Sequence, residues 1–171
     1  HPIAVTGMTV HSDWDDWLPR EIEDADPGGV SLWYLGCNGF VLKTNDGTTV
    51  FIDPYLGTGD PPRTVRMIPV PFAPADVAEA DAVLATHEHS DHTHAPSQAP
   101  MLERTDATFY GPRATVDIAG GWSDRYDLDD GDLREVVEGE TFEVGSLSIH
   151  VEPAHDPDAD SPVSYVIEHD S

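Results

Sequence analysis

Short runs of hydrophobic residues alternate with polar ones along much of the 171-residue chain, a pattern that predicts many β-strands. Between two of these runs stands Asn45-Asp46-Gly47, a sequence typical of hairpin turns. Residues 54–75 contain six prolines and are predicted to form a long surface loop. The predicted strands are Val30–Leu35, Gly39–Thr44, Thr48–Asp53, Asp81–Ala85, Thr108–Tyr110, Arg134–Val137, Thr141–Val144, Leu147–Val151 and Pro162–Glu168.

Helical patterns fall between the strands. Residues 12–24 open with a Ser-x-Asp cap and carry Trp17, Leu18 and Ile22 at roughly helical spacing, although Pro19 indicates a break or a short first piece. Further helices are predicted at Ala75–Ala80, 95–104 and Arg113–Ala119. Strands that outnumber the helices between them predict an α+β fold, in which helices cover a sheet.

The stretch ATHEHSDHTH, residues 85–94, holds four of the nine histidines of the chain. It follows a continuous apolar run, so these side chains are expected at the end of a buried strand, where open sheets place their ligand sites. His87 and His89 stand two residues apart, which puts both rings on one side of an extended segment. Asp91 and His92 add a carboxylate and a third imidazole. The alternative is a solvated polar loop, which is the usual setting for isolated histidines.

Histidines with a carboxylate suit zinc, manganese or iron, and no thiolates are present to mark a closed structural zinc site. We therefore predict a divalent metal site, zinc or manganese, with one or two ions. In a two-ion centre, His87 and His89 would serve one ion while Asp91 and His92 serve the other.

Acidic residues dominate the charge: Asp and Glu total 33 against 8 for Lys and Arg, a net charge of −25. Self-repulsion of this size destabilises a compact state at low salt, and the composition resembles that of proteins from salt-accumulating halophiles; a mesophilic acidic protein is the alternative. So little basic surface argues against nucleic acid or anionic membranes as partners and favours a small-molecule substrate.

Localisation is predicted from what the sequence does not contain. No apolar run approaches the ~20 residues of a membrane span, and the first residues show no basic leader followed by an apolar stretch. Cys37 is the only cysteine, so no intrachain disulfide is expected. We therefore expect a cytoplasmic protein.

The motif LATHEHSDH resembles the signature of the metallo-β-lactamase superfamily. The segments WYLGCNGFVLKTNDGTTVFIDPYLGTG, YGPRATVDIAGGW and SIHVEPAHD resemble its lactonase branch, typified by L-ascorbate-6-phosphate lactonase. The similarity covers about residues 12–168.

This resemblance implies an αββα sandwich with the metals at its open edge. It implies that Asp53 lies beneath the histidine loop and orients ligands, although a simple strand-end turn is the alternative. It also implies that His155 joins His87 and His89 as a ligand, so that the ligand set becomes His87, His89, Asp91, His92 and His155. The alternative for His155 is an exposed loop residue.

In the superfamily pattern, the ligand histidine at the position of His155 is followed by a Gly-Asp segment, whose Asp bridges the metals, and then by a further ligand histidine. No Gly-Asp segment follows His155 in these 171 residues. We therefore expect residues 1–171 to form one C-terminally incomplete domain, the N-terminal half of the sandwich. Its bare apolar face would need covering by further chain or by a second copy in a homo-oligomer. The second metal would be under-coordinated.

The function that these observations predict is a metal-dependent hydrolase, in which a metal-bound hydroxide attacks a lactone, ester or phosphoester. The resemblance suggests a sugar-phosphate lactone as the substrate, and Asp91 is the candidate catalytic residue that orients or deprotonates the nucleophile. The alternative is a non-catalytic metal-binding or assembly protein derived from a hydrolase half.

The charge predicts a salt response. Thermal unfolding, followed by circular dichroism in KCl from low to molar concentration, should give a midpoint that rises with salt, because the ions screen acidic self-repulsion. A flat or falling midpoint would contradict the halophilic interpretation.

Overall fold

The structure, a computed structural model, describes residues 9–170. Its three α-helices are α1 (Trp17–Asp24), α2 (Ala95–Arg104) and α3 (Arg113–Gly120). Its strands are β1 (Val30–Gly36), β2 (Gly39–Thr44), β3 (Thr49–Ile52), β4 (Gly59–Asp60), β5 (Thr64–Val65), β6 (Ala82–Leu84), β7 (Thr108–Gly111), β8 (Leu133–Glu135), β9 (Thr141–Val144), β10 (Leu147–Pro153) and β11 (Val163–His169).

A six-stranded sheet in the order β1-β2-β3-β6-β7-β8 forms the centre of the fold. The neighbours β1, β2 and β3 pair antiparallel, whereas β3, β6, β7 and β8 run parallel to one another. Parallel neighbours end at the same edge, so the segments after β3 and β6 emerge side by side. A second, antiparallel sheet has the order β11-β10-β9.

Two hydrophobic clusters cover the opposite faces of the large sheet. Phe51, Val83 and Phe109 point into the cluster that holds the buried faces of all three helices. Val50 and Leu84, on the other face, join the cluster shared with the second sheet. The layers are therefore helices, large sheet and small sheet, which confirms the predicted α+β sandwich; within residues 9–170 no α-helix packs on the outer face of the small sheet.

Two predictions, for the proline-rich segment and for the residues that follow it, are wrong. Residues 54–75 were expected to be a loop throughout, but β4 and β5 form a small hairpin there. The helix expected at Ala75–Ala80 is only a 3-10 turn at Pro74–Asp76. Val77 is already extended and buries its side chain in the core, so packing overrides the weak local preference for a helix.

Lys43, the only lysine in the sequence, lies inside the fold with 6% of its surface exposed. Its ammonium donates hydrogen bonds of 2.8 Å to the carbonyl oxygens of Ile22 and Glu23. These carbonyls belong to the last turn of α1, where a helix leaves acceptors without intrahelical partners. A buried cation therefore caps α1 and fixes it to β2.

Among the described residues, none of the helices combines the length and the apolar composition that a membrane crossing requires.

The packing between the sheets makes a stability prediction. Ile149 of β10 is fully buried between them, so Ile149→Ala should lower the free energy of unfolding by about 2–5 kcal/mol. Val166 of the paired strand β11 is 51% exposed, so Val166→Ala should change it by less than about 0.5 kcal/mol. Urea unfolding at one fixed salt concentration measures both. Equal losses would contradict this packing.

Candidate metal centre

Two parallel strands bring the candidate residues to one edge of the large sheet. Asp53 follows β3, and the loop that begins at Thr86 follows β6. The Asp53 backbone N–H donates to the carbonyl of Leu84 at 2.8 Å, which extends the pairing to the strand ends. The histidine-rich loop therefore starts directly beside Asp53.

The buried carboxylate of Asp53, with a side chain only 5% exposed, holds this loop from below. Its Oδ1 accepts the backbone N–H of Thr86 at 2.8 Å, and its Oδ2 accepts the Thr86 hydroxyl at 2.7 Å. The same Oδ2 lies 2.7 Å from Nδ1 of His92. Asp53 has a left-handed backbone with φ of 45°, which non-glycine residues seldom adopt and which Asp tolerates better than most.

In three histidines of the loop, His87, His89 and His92, one ring nitrogen faces an oxygen acceptor. His92 Nδ1 faces Asp53, and His87 Nδ1 lies 2.9 Å from the Thr86 hydroxyl oxygen, which itself donates to Asp53. His89 Nε2 lies 3.1 Å from the carbonyl oxygen of Asp158. With the protons on those nitrogens, the other nitrogen of each ring keeps its lone pair. This is the usual arrangement of metal-binding histidines in proteins.

Three side chains offer ligand atoms that all lie within 4.8 Å of one another: His87, His89 and Asp156. His87 Nε2 lies 3.9 Å and His89 Nδ1 lies 3.7 Å from Oδ2 of Asp156. These are the two ring nitrogens left free by the hydrogen bonds described above. Two imidazoles and one carboxylate suit a first-row divalent ion.

Asp91 and His92 form a second pair beside this group. Oδ2 of Asp91 lies 3.7 Å from Nε2 of His92, and the Asp91 side chain is about half exposed, at 52%. The His92 and His87 rings are adjacent, with centroids 3.8 Å apart. The structure therefore brings His87, His89, Asp91 and His92 to one place.

His155 is not part of this cluster. Its side chain is exposed, and the next residue, Asp156, faces the histidines instead. Asp156 Oδ1 accepts the backbone N–H of Asp158 at 3.0 Å in a local turn, which holds its carboxylate on the inner side of the loop. A role of His155 as a ligand stays a prediction.

Electrostatics differ between the two adjacent imidazoles of His87 and His92. Burial lowers the pKa of His87 below its usual value, and the neighbouring His92 and His89 reinforce the effect. Burial also acts to lower the pKa of His92, but the hydrogen bond and charge of Asp53 and the charge of Asp91 outweigh it, so the pKa of His92 is raised. The Asp53 carboxylate thus favours the charged form of one ring in the metal-free protein.

The small sheet also contacts this edge. The Tyr165 hydroxyl of β11 donates to the carbonyl of Ala85 at 2.7 Å, directly before the histidine loop. Burial raises the pKa of this phenol well above its usual value, and the charges of Asp53 and Glu140 add to the shift. Tyr165 is therefore a neutral donor that anchors the end of β6.

Sequence reasoning did not select three residues of this site. Thr86 lies within the motif LATHEHSDH, and Asp156 is adjacent to His155, so both had a local signal. Asn38 had none, because it lies 53 positions before Asp91. Its Nδ2 is 3.2 Å from His92 Nε2 and 3.5 Å from Asp91 Oδ2.

Helices, two stacked sheets and a histidine-rich loop at the open sheet edge together define a fold of the metallo-hydrolase type. The sequence model of the beta-lactamase superfamily domain matches residues 48–171, and the chain belongs to this superfamily. Its fold implies a divalent metal, and the nitrogen and oxygen donors described above fit one.

Among curated proteins, the chain is similar to the probable L-ascorbate-6-phosphate lactonase UlaG of Escherichia coli, with 31% identity over 141 residues. The alignment covers 67% of this chain and 40% of the relative, so the chain spans about two-fifths of the length of the curated relatives that it matches. The resemblance to the lactonase branch is thereby confirmed.

Two solved structures share the fold. The diiron beta-hydroxylase CmlA from Streptomyces venezuelae is 24% identical with a TM-score of 0.60, over 84% of this chain and 28% of that chain. The metallo hydrolase Igni18 from the archaeon Ignicoccus hospitalis is 20% identical with a TM-score of 0.53, over 82% of this chain and 56% of that chain.

The electrostatics of Asp53 make a prediction for the metal-free protein. Asp53→Asn removes the charge that raises the pKa of His92 while burial continues to lower it, so that pKa should fall. NMR titration of the histidine ring signals measures it. Asp60→Asn, which removes a carboxylate from the exposed β4 strand, is the matched control and should leave the His92 titration unchanged. An unaltered His92 pKa in Asp53→Asn would refute the assigned contact.

Proposed function

We propose that this chain carries the metal centre of a divalent-metal-dependent hydrolase acting on a lactone, ester or phosphoester. The observation that carries the proposal is that three imidazoles each contact an oxygen acceptor through one ring nitrogen. The acceptors are the Asp53 carboxylate for His92, the Thr86 hydroxyl for His87 and the Asp158 carbonyl for His89. Such pairing orients the opposite lone pairs toward a common ion and strengthens them as donors.

In this proposal, His87, His89 and Asp156 hold one ion, and His92 with Asp91 contacts a second. When bound, zinc or manganese supplies a water of lowered pKa as the nucleophile and polarises the oxygen of the electrophile. The half-exposed carboxylate of Asp91 orients the attacking water and accepts its proton. Asp53, below the loop, keeps His92 in position without touching the substrate.

The proposed substrate is a small molecule, and a sugar-phosphate lactone is the candidate suggested by the relatives' printed name. The net charge of −25 opposes the approach of an anionic substrate. A phosphorylated lactone should therefore react faster as salt rises, whereas an uncharged lactone should respond much less. Comparing the two at low and high KCl separates the substrate classes.

His87→Ala tests the enzyme function. The variant removes a ligand from the proposed first ion, so kcat/KM on the best substrate of a lactone and phosphodiester panel, with zinc or manganese added, should fall at least about a hundredfold. His150→Ala is the matched control, because His150 sits in β10 on the outward face and pairs with Glu168 at 2.7 Å. It should retain activity.

Two other outcomes are decisive. Turnover that persists in His87→Ala would refute the proposed centre. Stoichiometric metal binding that depends on His87, without turnover of any substrate in the panel, would instead support the non-catalytic metal-binding protein that the sequence left as the alternative.

A further inference from the structure

Asn38 sits in the tight turn that joins β1 to β2. Gly36 and Cys37 have left-handed backbones there, with φ of 90° and 53°. The φ of 90° at Gly36 favours glycine, and a Cβ there would also force the Ile68 side chain to move. The Tyr34 hydroxyl donates to the Cys37 carbonyl at 2.8 Å, which braces the turn.

An arginine fixes this turn to the segment after Asp53. Arg66 Nη2 donates to the carbonyl of Leu35 at 2.8 Å, and Nη1 donates to the carbonyl of Tyr55 at 2.6 Å. The position that a Cβ on Gly39 would take is 3.2 Å from the Asp53 carbonyl oxygen, so the backbones are in close approach. The fold therefore fixes Asn38 beside the sheet edge that carries the candidate metal ligands.

The amide of Asn38 forms a triangle with the second pair of candidate ligands. Its Nδ2 lies 3.2 Å from His92 Nε2 and 3.5 Å from Asp91 Oδ2, and those two atoms are 3.7 Å apart. Ligands bound about 2.1 Å from one tetrahedral ion are separated by about 3.4 Å. The three edges of this triangle cluster around that value, so the three side chains already have the spacing of ligands to one ion.

The amide has two ends, and a half turn about its last bond exchanges Oδ1 with Nδ2. When His92 is neutral with its proton on Nδ1, the Asn38 amide of the metal-free protein donates an N–H to its Nε2. Facing a cation, it would present its oxygen, a hard ligand that manganese and zinc accept beside imidazole and carboxylate.

We propose that Asn38 is a metal ligand, whose side-chain oxygen completes with Asp91 and His92 the site for a second divalent ion. This inference rests on the proposed metal-dependent function and deepens it. Among the described residues, Asn38 gives the second ion a third protein ligand beside Asp91 and His92, from a different part of the chain.

Cobalt titration of the metal-free protein tests this proposal, followed by visible absorption and by equilibrium dialysis with elemental analysis. Wild type should bind two equivalents. Asn38→Ala should weaken the second equivalent at least about tenfold and leave the first unchanged. Asn38→Asp, which keeps an oxygen at the same position and adds a negative charge, should bind the second ion as tightly as wild type or more tightly.

Asn45→Ala is the matched control, because Asn45 is the only other asparagine and lies at the opposite end of β2. It should bind both ions as wild type does. Asn38 is exposed, so Asn38→Ala should unfold at the wild-type midpoint without metal, which separates loss of a ligand from loss of the fold.

Each other result counts against a definite claim. Equal or tighter second-ion binding in Asn38→Ala would overturn the ligand role, and a reduced kcat/KM with unchanged metal affinity would assign Asn38 to substrate contact instead. Binding of only one ion by wild type would overturn the second site while leaving the first centre intact. Binding of none would refute the proposed function itself.

Discussion

The carboxylate of Asp53 accepts hydrogen bonds from the backbone and hydroxyl of Thr86 and contacts the ring of His92. A buried charge is costly unless donors surround it, so the histidine loop is held where its donors meet those oxygens. The left-handed turn at Asp53 is part of the same arrangement, because it aims the side chain up from the strand end. Loss of this contact would release His92 directly and His87 through Thr86.

Parallel strand order makes that contact available. β3 and β6 are neighbours although 29 residues separate the end of one from the start of the other, Ile52 and Ala82. The long connection leaves the site edge, crosses the helical face and returns at the far end of the sheet. The residues on which the chemistry depends therefore belong to loops, while two hydrophobic clusters keep the supporting strands rigid.

Local patterns were enough to predict most of the fold. The apolar run before His87 predicted a strand buried on both faces, and β6 is such a strand. The hairpin at Asn45-Asp46-Gly47 was also predictable, because its turn chemistry is contained in three adjacent residues. The helix expected at Ala75–Ala80 did not form, since the buried side chain of Val77 is packed in an extended conformation that local propensity does not encode.

The site was predictable only where its residues are close in sequence. Four candidate ligands stand within six positions of the sequence: His87, His89, Asp91 and His92. Their spacing alone indicated a shared metal site. Asn38 and Asp156 approach them through tertiary contacts that no spacing rule reports. The choice between His155 and its neighbour depends on a side-chain direction that a turn at Asp156–Asp158 sets, and such turns are visible only in three dimensions.

The burial of Lys43 has a practical consequence. With the sole lysine ammonium enclosed against the end of α1, arginine is the only permanently charged cation that the described surface offers. Reagents that acylate or cross-link lysine amines will find no accessible lysine on this folded chain, so the many surface carboxylates are the side chains suited to immobilisation and labelling. Acylation of Lys43 would then serve as a reporter of local opening around α1.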